Sequence, residues 1–259
     1  MRIVLGIEYD GSRYHGWQAQ AGLHTVQSSV EKALSRIANH TVEVVCAGRT
    51  DTGVHALGQV VHFDTGSERS HHAWIYGSNT FLPKDIAIRW VKEVPDDFHA
   101  RYSAVSRSYR YVIYNHSLKP ALLRSNVAWH YKALDHERMA EAGSYLIGEY
   151  DFTSFRASEC QSKTPIRHLT ALSVTRQGDY VIMDISANAF LHHMIRNIAG
   201  VLIAVGAGLK DVLWAKYVLE AKDRRLGGET APAYGLYFME AKYPDHYGIA
   251  EMQNPRRLF

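Results

Sequence analysis

Asp51 lies in the stretch Cys46-Ala47-Gly48-Arg49-Thr50-Asp51-Thr52-Gly53-Val54-His55. A carboxylate beside an arginine, in a turn bracketed by glycines, has the makings of a catalytic acid or nucleophile. Gly48 and Gly53 permit backbone angles that other residues resist, or a close approach by a ligand. A plainer role is also open: Asp51 can cap the turn by bonding its own backbone. A second candidate set falls at residues 104–115. Side chains of a strand alternate faces, so Val105, Arg107, Tyr109, Tyr111 and Ile113 share one face and Arg110 takes the other. Tyrosine rings beside an arginine suit a nucleobase and its phosphate, at ~1–3 kcal/mol for each stacked base. Tyrosines are also ordinary residues of a sheet core. A third set follows at residues 188–197. Leu191, Met194, Ile195, Ile198, Val201, Leu202 and Val205 make an apolar helical stripe. His193, Arg196, Asn197 and Gly200 make a polar one at i, i+3, i+4, i+7. That polar stripe faces either a cleft or solvent. A cation near a helix start opposes the macrodipole, which favours a specific carboxylate or phosphate partner for Arg196.

Other chemistries fit poorly. His71-His72 and His192-His193 are adjacent pairs, and neighbours on a helix do not face each other, so neither pair chelates by itself. There is no HExxH and no CxxC, and a metal site is not expected. The glycine loop lacks a Walker lysine and dinucleotide spacing, and no cofactor is expected. Residue 53 is glycine where a phospho-acceptor aspartate usually has an acidic companion two residues away. The net charge is +3, with 16 tyrosines, a mildly basic balance that does not by itself specify a nucleic acid. The two cysteines build no disulfide framework, and no apolar run is long enough to span a membrane. A reducing cytoplasm is the expected home.

The elements that must position these residues follow one order twice. A strand at 2–9, a helix at 26–38 capped by Thr25, strands at 41–46 and 58–64, a helix at 70–80 and a strand at 86–93 give βαββαβ. A strand at 104–115, a helix at 134–147, strands at 166–176 and 180–187, helices at 190–206 and 211–222 and a strand at 235–242 repeat it with one added helix. The expected fold is α+β: two ferredoxin-like units with sheets side by side around a central cleft. The expected division is 1–95, 96–245 and a polar tail, 246–259. Basic loops at 156–163 and 222–225 are candidates to border a polyanion.

The residues 47–56 resemble the signature loop of the tRNA pseudouridine synthase A family. Further matches run in order along residues 2–243: Tyr9-Asp10-Gly11 with Tyr14; Gly16-Trp17-Gln18; Phe98-His99-Ala100-Arg101; Tyr109-Arg110-Tyr111; Asp151-Phe152-Thr153-Ser154-Phe155; residues 190–197; Thr230-Ala231-Pro232; and Gly235-Leu236. Position 52 is often alanine in that family and is threonine here. The resemblance implies the pseudouridine synthase fold and isomerisation of uridine to pseudouridine at positions 38, 39 and 40 of the tRNA anticodon stem-loop, without cofactor or metal. It implies Asp51 as the catalytic nucleophile or base. It implies Tyr109 against the target base, Arg196 as the cation paired with the aspartate, Arg49 in the space vacated by the flipped nucleotide, and Leu236 beneath the base. It also implies a homodimer with RNA contacting both subunits. Two other readings remain. A non-catalytic RNA-binding protein of two RRM-like units would show an RNP pattern, absent at 58–64 and 180–187. A metal-dependent hydrolase would need better histidine spacing.

Overall fold

The computed structural model describes residues 1–253; the last part of the expected polar tail, 254–259, lies outside the described residues. In chain order the elements are β1 (Arg2–Tyr9), α1 (Val26–Ala38), β2 (Val45–Cys46), β3 (His55–Asp64), a π-helical turn (Ala73–Gly77) running into α2 (Ser78–Phe81), and β4 (Ile86–Val94). Then come β5 (Ser106–Asn115), β6 (Ala128–His130), α3 (His136–Ser144), β7 (Gly148–Asp151), β8 (Ile166–Gln177), β9 (Tyr180–Ala187), α4 (Met194–Gly206), α5 (Trp214–Ala221) and β10 (Leu236–Lys242). The class is α+β. Among the described residues no helix is long and apolar enough to cross a membrane.

The chain forms two compact units. One comprises Met1–Arg107 together with the chain from Tyr237 onward; the other is Ser108–Leu236. In the first, β1 is the centre of its sheet because both of its faces are apolar: Ile3, Val4, Leu5 and Ile7 are all buried. It pairs antiparallel with β3 (Leu5 opposite Val61) and with β4 (Leu5 opposite Val91). On the far side of β3, β10 runs parallel to it through Tyr237 opposite His55. Thr25 caps α1 by accepting from Ser28 N–H, and Val26, Val30, Ala33 and Leu34 turn inward as their spacing requires. Residues beyond β10 continue this packing: Tyr247 sets its ring edge-on to Phe98, and Ile249 is buried.

The expected strand at 41–46 shrinks to two residues. Its backbone bonds to α1 side chains instead. Ser35 Oγ accepts from Val42 N–H at 2.9 Å, and Glu31 Oε1 accepts from Val44 N–H at 3.0 Å. Side-chain capture of backbone donors competes directly with a sheet ladder.

In the second unit β8 runs between β7 and β9, antiparallel to both, and β5 neighbours β9. The short β6 adds parallel to β5 (Ile113 opposite Ala128). Asp135 caps α3 by accepting from Glu137 and Arg138 N–H. Its buried core includes Met139, Leu146, Leu169, Met183, Ile198 and Leu202. α4 starts four residues later than its pattern predicts, because His193 adopts a left-handed conformation (φ 60°) and acts as the boundary. His192 and His193 therefore precede the helix, with ring centroids 4.1 Å apart. The rule that helical neighbours diverge does not apply to them.

Candidate active site

Two groups of candidate residues fall in different units. Arg49 and Asp51 belong to the first; Tyr109, Arg196 and Leu236 belong to the second.

In the first unit the loop between β2 and β3 is tied down nearly residue by residue. Ala47 N–H donates to Val60 O at 2.8 Å, and the Arg107 guanidinium reaches Ala47 O at 3.3 Å. The fully buried Gln59 clamps Gly48 from both sides: its Nε2 donates to Gly48 O at 2.7 Å, and its Oε1 accepts from Gly48 N–H at 3.4 Å. Thr50 is held twice. Its carbonyl accepts from Trp17 N–H at 3.0 Å, and its hydroxyl lies 2.7 Å from Tyr9 Oη, with both side chains buried. Burial also raises the Tyr9 pKa well above the usual phenol range, so the hydroxyl stays protonated. Gly16, at φ 79°, lies against this loop; a Cβ there would stand 2.7 Å from Thr50 O.

The turn itself closes through the main chain: Val54 N–H donates to Asp51 O at 3.1 Å, and Gly53 takes φ 80°. Of the two bracketing glycines only Gly53 is left-handed. Past the turn, His55 is buried and stacks on Tyr237 at 4.7 Å. Its Nδ1 lies 3.1 Å from both Gly11 N and Asp10 Oδ1. A bare Nδ1 accepts from Gly11 N–H, whereas the tautomer with its proton on Nδ1 donates to Asp10. Burial would raise the Asp10 pKa, but hydrogen bonds from His55 and Ser12 outweigh it and hold the carboxyl well below its usual range. The product is a fixed platform. Thr50 points into the core, Arg49 and Thr52 are exposed, and Asp51 is half-buried between them.

The Tyr9–Thr50 contact is testable by itself. Removing one partner of a buried pair strands the other, at about 1–3 kcal/mol, whereas removing both is far cheaper. We expect Tyr9→Phe and Thr50→Val each to lower stability by about 1–2 kcal/mol, and the double variant to lose much less than the sum. Chemical denaturation of the four proteins reads this; strictly additive losses would break the link between the two hydroxyls.

In the second unit the tyrosine stripe divides. Tyr111 is fully buried and donates to Pro232 O at 2.8 Å, so it is a core residue. Tyr109 is mostly buried and meets Phe190 edge-on at 5.1 Å. Arg107, the last residue of this stretch in the first unit, binds the backbone carbonyls of Ala104, Arg101 and Ala47. Leu236 is buried at the start of β10.

The polar stripe of α4 is neither a bare cleft wall nor a solvent face along its length; the segment around 224–231 covers it. Asn197 is buried, donates to Phe155 O at 2.8 Å, and accepts from Thr230 Oγ1 at 2.7 Å and Arg224 Nη2 at 3.0 Å. At Gly200 a Cβ would stand 1.8 Å from Glu229 O, so only glycine lets the chain pass. Arg196 Nε donates to Ala231 O at 2.8 Å, while Ala231 N–H donates back to Arg196 O at 3.1 Å. This reciprocal pair fixes the guanidinium on the first turn of α4. The basic loops also bond internally: Arg156 to Cys160 O and Ser162 O, Arg224 to Gly228 O, and Arg225 to Asp223.

The half-buried Asp51 thus sits on a loop braced by buried tyrosine, threonine and glutamine side chains. The chain belongs to the tRNA pseudouridine synthase family, whose model matches residues 6–103 and 142–244. Its relatives agree over nearly full length. The tRNA pseudouridine synthase A of Legionella pneumophila (strain Corby) is 63% identical over 259 residues, covering 100% of this chain and 98% of the relative. That of Vibrio vulnificus (strain YJ016) is 59% identical, covering 96% and 94%. That of Coxiella burnetii (strain Dugway 5J108-111) is 57% identical, covering 97% and 96%. The protein is accordingly an isomerase that converts uridine to pseudouridine in tRNA.

Tyr9, Thr50, Gln59 and His55 were not assigned roles by sequence reasoning. The signal available was the pair of matched segments, Tyr9-Asp10-Gly11 and Gly16-Trp17-Gln18, which bear on the loop from a distance in the chain.

Proposed function

We propose that the protein isomerises uridines 38, 39 and 40 of the tRNA anticodon stem-loop, with Asp51 as the reacting carboxylate. The reading rests on family membership and on one observation: Asp51 is the acid on a loop whose preceding residues are immobilised through Tyr9, Trp17 and Gln59. Fixing the backbone before binding removes ordering cost from the reacting complex. The uridine is flipped out of its stack, at a cost of a few kcal/mol. The C1′–N1 bond breaks, the uracil turns, and C1′ bonds to C5. N1 gains a proton and C5 loses one, so the product is an isomer and no redox partner or group donor enters. Asp51 acts as nucleophile, or as the base that takes a ribose proton.

In this reading Arg196 keeps the carboxylate ionised, Tyr109 lies against the base, Leu236 supports it, and exposed Arg49 fills the space the nucleotide leaves. The working form is a homodimer in the cytoplasm, with RNA contacting both subunits.

Transcripts with a single C5-tritiated uridine at position 38, 39 or 40 test the positional claim. Tritium release from each is expected. Release from none of them, but from a uridine elsewhere in the tRNA, would move the site of action.

A further inference from the structure

We infer that an open groove along α1 in the first unit takes the phosphodiester backbone of the tRNA, away from the reacting nucleotide. The groove has a volume of about 400 Å³, and its walls include Lys32, Arg36, His24, Ser28, Ser29 and Phe81. No carboxylate lines it. The basic loops at 156–163 and 222–225 spend several of their arginines on carbonyls and on Asp223. Lys32 and Arg36 differ: among the described residues neither pairs with a carboxylate. Both are exposed. The Arg36 guanidinium rests over the Phe81 ring, 4.8 Å from its centroid, which orders the head group without neutralising it.

The acids nearby in sequence are engaged elsewhere. Glu31 accepts from Gln27 Nε2 and Val44 N–H. Asp85 accepts from the Tyr14 hydroxyl and has Arg13 at 4.0 Å. The groove thus keeps an uncompensated positive field, and Lys32 and Arg36 stand one helical turn apart, a rise of about 6 Å. That spacing suits neighbouring phosphates of one strand.

The groove is also built into the body that carries Asp51. The α1 start is tied to the bracing segment by Val26 N–H to Gly16 O (3.2 Å) and Gln27 N–H to Trp17 O (3.0 Å), and Trp17 N–H in turn holds Thr50 O. His24, on the groove wall, packs its ring against Tyr14 in a tilted contact, centroids 4.6 Å apart. A phosphate bound here is therefore held in fixed relation to the catalytic loop.

The inference rests on tRNA being the substrate and not on which uridine reacts. Its test is filter binding of an unmodified tRNA transcript across salt concentrations, with single-turnover tritium release at saturating tRNA. For Lys32→Ala/Arg36→Ala we expect roughly tenfold weaker binding near physiological salt, and a log–log salt slope smaller by about 2. Melting temperature and saturating turnover stay as in wild type. The charge-preserving Lys32→Arg/Arg36→Lys retains the wild-type slope. An unchanged slope in the alanine variant, as a groove serving an acidic protein would give, overturns the inference. So does an equal loss in the charge-preserving variant, which would assign the effect to packing. Loss of the Asp51 role would appear in turnover at saturation and not in these slopes, so the two readings fail separately.

Discussion

Asp51→Asn is expected to abolish tritium release from C5-labelled tRNA, with turnover lower by at least about 10³-fold, the scale on which an essential acid–base or nucleophilic group acts. Asparagine keeps the size of the side chain and loses the charge. It can neither attack ribose nor accept a proton at neutral pH. Much of the loop's hold is independent of the carboxylate: Val54 N–H donates to Asp51 O, and the loop is anchored through Thr50, Gly48 and Ala47. Melting temperature is therefore expected to stay near that of wild type. Affinity for tRNA is expected to hold or rise slightly, since a negative charge facing a polyanion is removed. Filter binding and a thermal melt accompany the kinetics. Equal release by the two proteins would remove Asp51 from the chemistry. A large drop in melting temperature would return it to the plainer role of a turn-capping acid.

How much of this was legible in the chain depends on the range of the interaction. β1 and α1 read off directly, since a doubly buried strand and a capped amphipathic helix are local patterns: Ile3 to Ile7 are apolar in a run, and Thr25 precedes Val26, Val30 and Leu34 at helical spacing. The strand expected at 41–46 failed for a reason outside its own window, because Glu31 and Ser35 on α1 take its backbone donors. The start of α4 failed because left-handed His193 carries no sequence mark that sets it apart from a helical residue. β6 and β7, at three and four residues, are too short for an alternation to register. In the candidate site Asp51 stood out by type and neighbours. Its supports did not, because Tyr9, Trp17 and Gln59 become neighbours of the loop only when β1, α1 and β3 are folded. The Asn197 network is similar: an asparagine on a helix reads as a polar surface residue until Thr230 and Arg224 arrive from some 30 residues away.

Arg196→Ala is expected to lower saturating turnover by at least ~100-fold while changing tRNA affinity less than about threefold, the division expected of a group that serves the transition state rather than ground-state binding. The argument begins with placement. Arg196 is the third residue of α4, where the helix dipole disfavours a cation by about 0.3–1 kcal/mol at exposed sites. The fold nevertheless orients it, with Nε on Ala231 O and the backbone of the same two residues bonded in return. Nε is committed there, and in the proposed chemistry the anion that the guanidinium meets is the reacting carboxylate. Truncation removes the Nε bond to Ala231 O, on the order of 1 kcal/mol, while Ala231 N–H still holds the loop to the helix. Arg196→Lys should recover little, since one ammonium cannot both hold Ala231 O and face the carboxylate in the geometry of a planar fork. The discriminating measurement is the salt slope of tRNA binding. A phosphate ligand would lower it by about 1 on removal, whereas a partner of the carboxylate leaves it unchanged. A reduced slope together with a raised KM and intact saturating turnover would make Arg196 an RNA-backbone contact and leave Asp51 without its proposed cation.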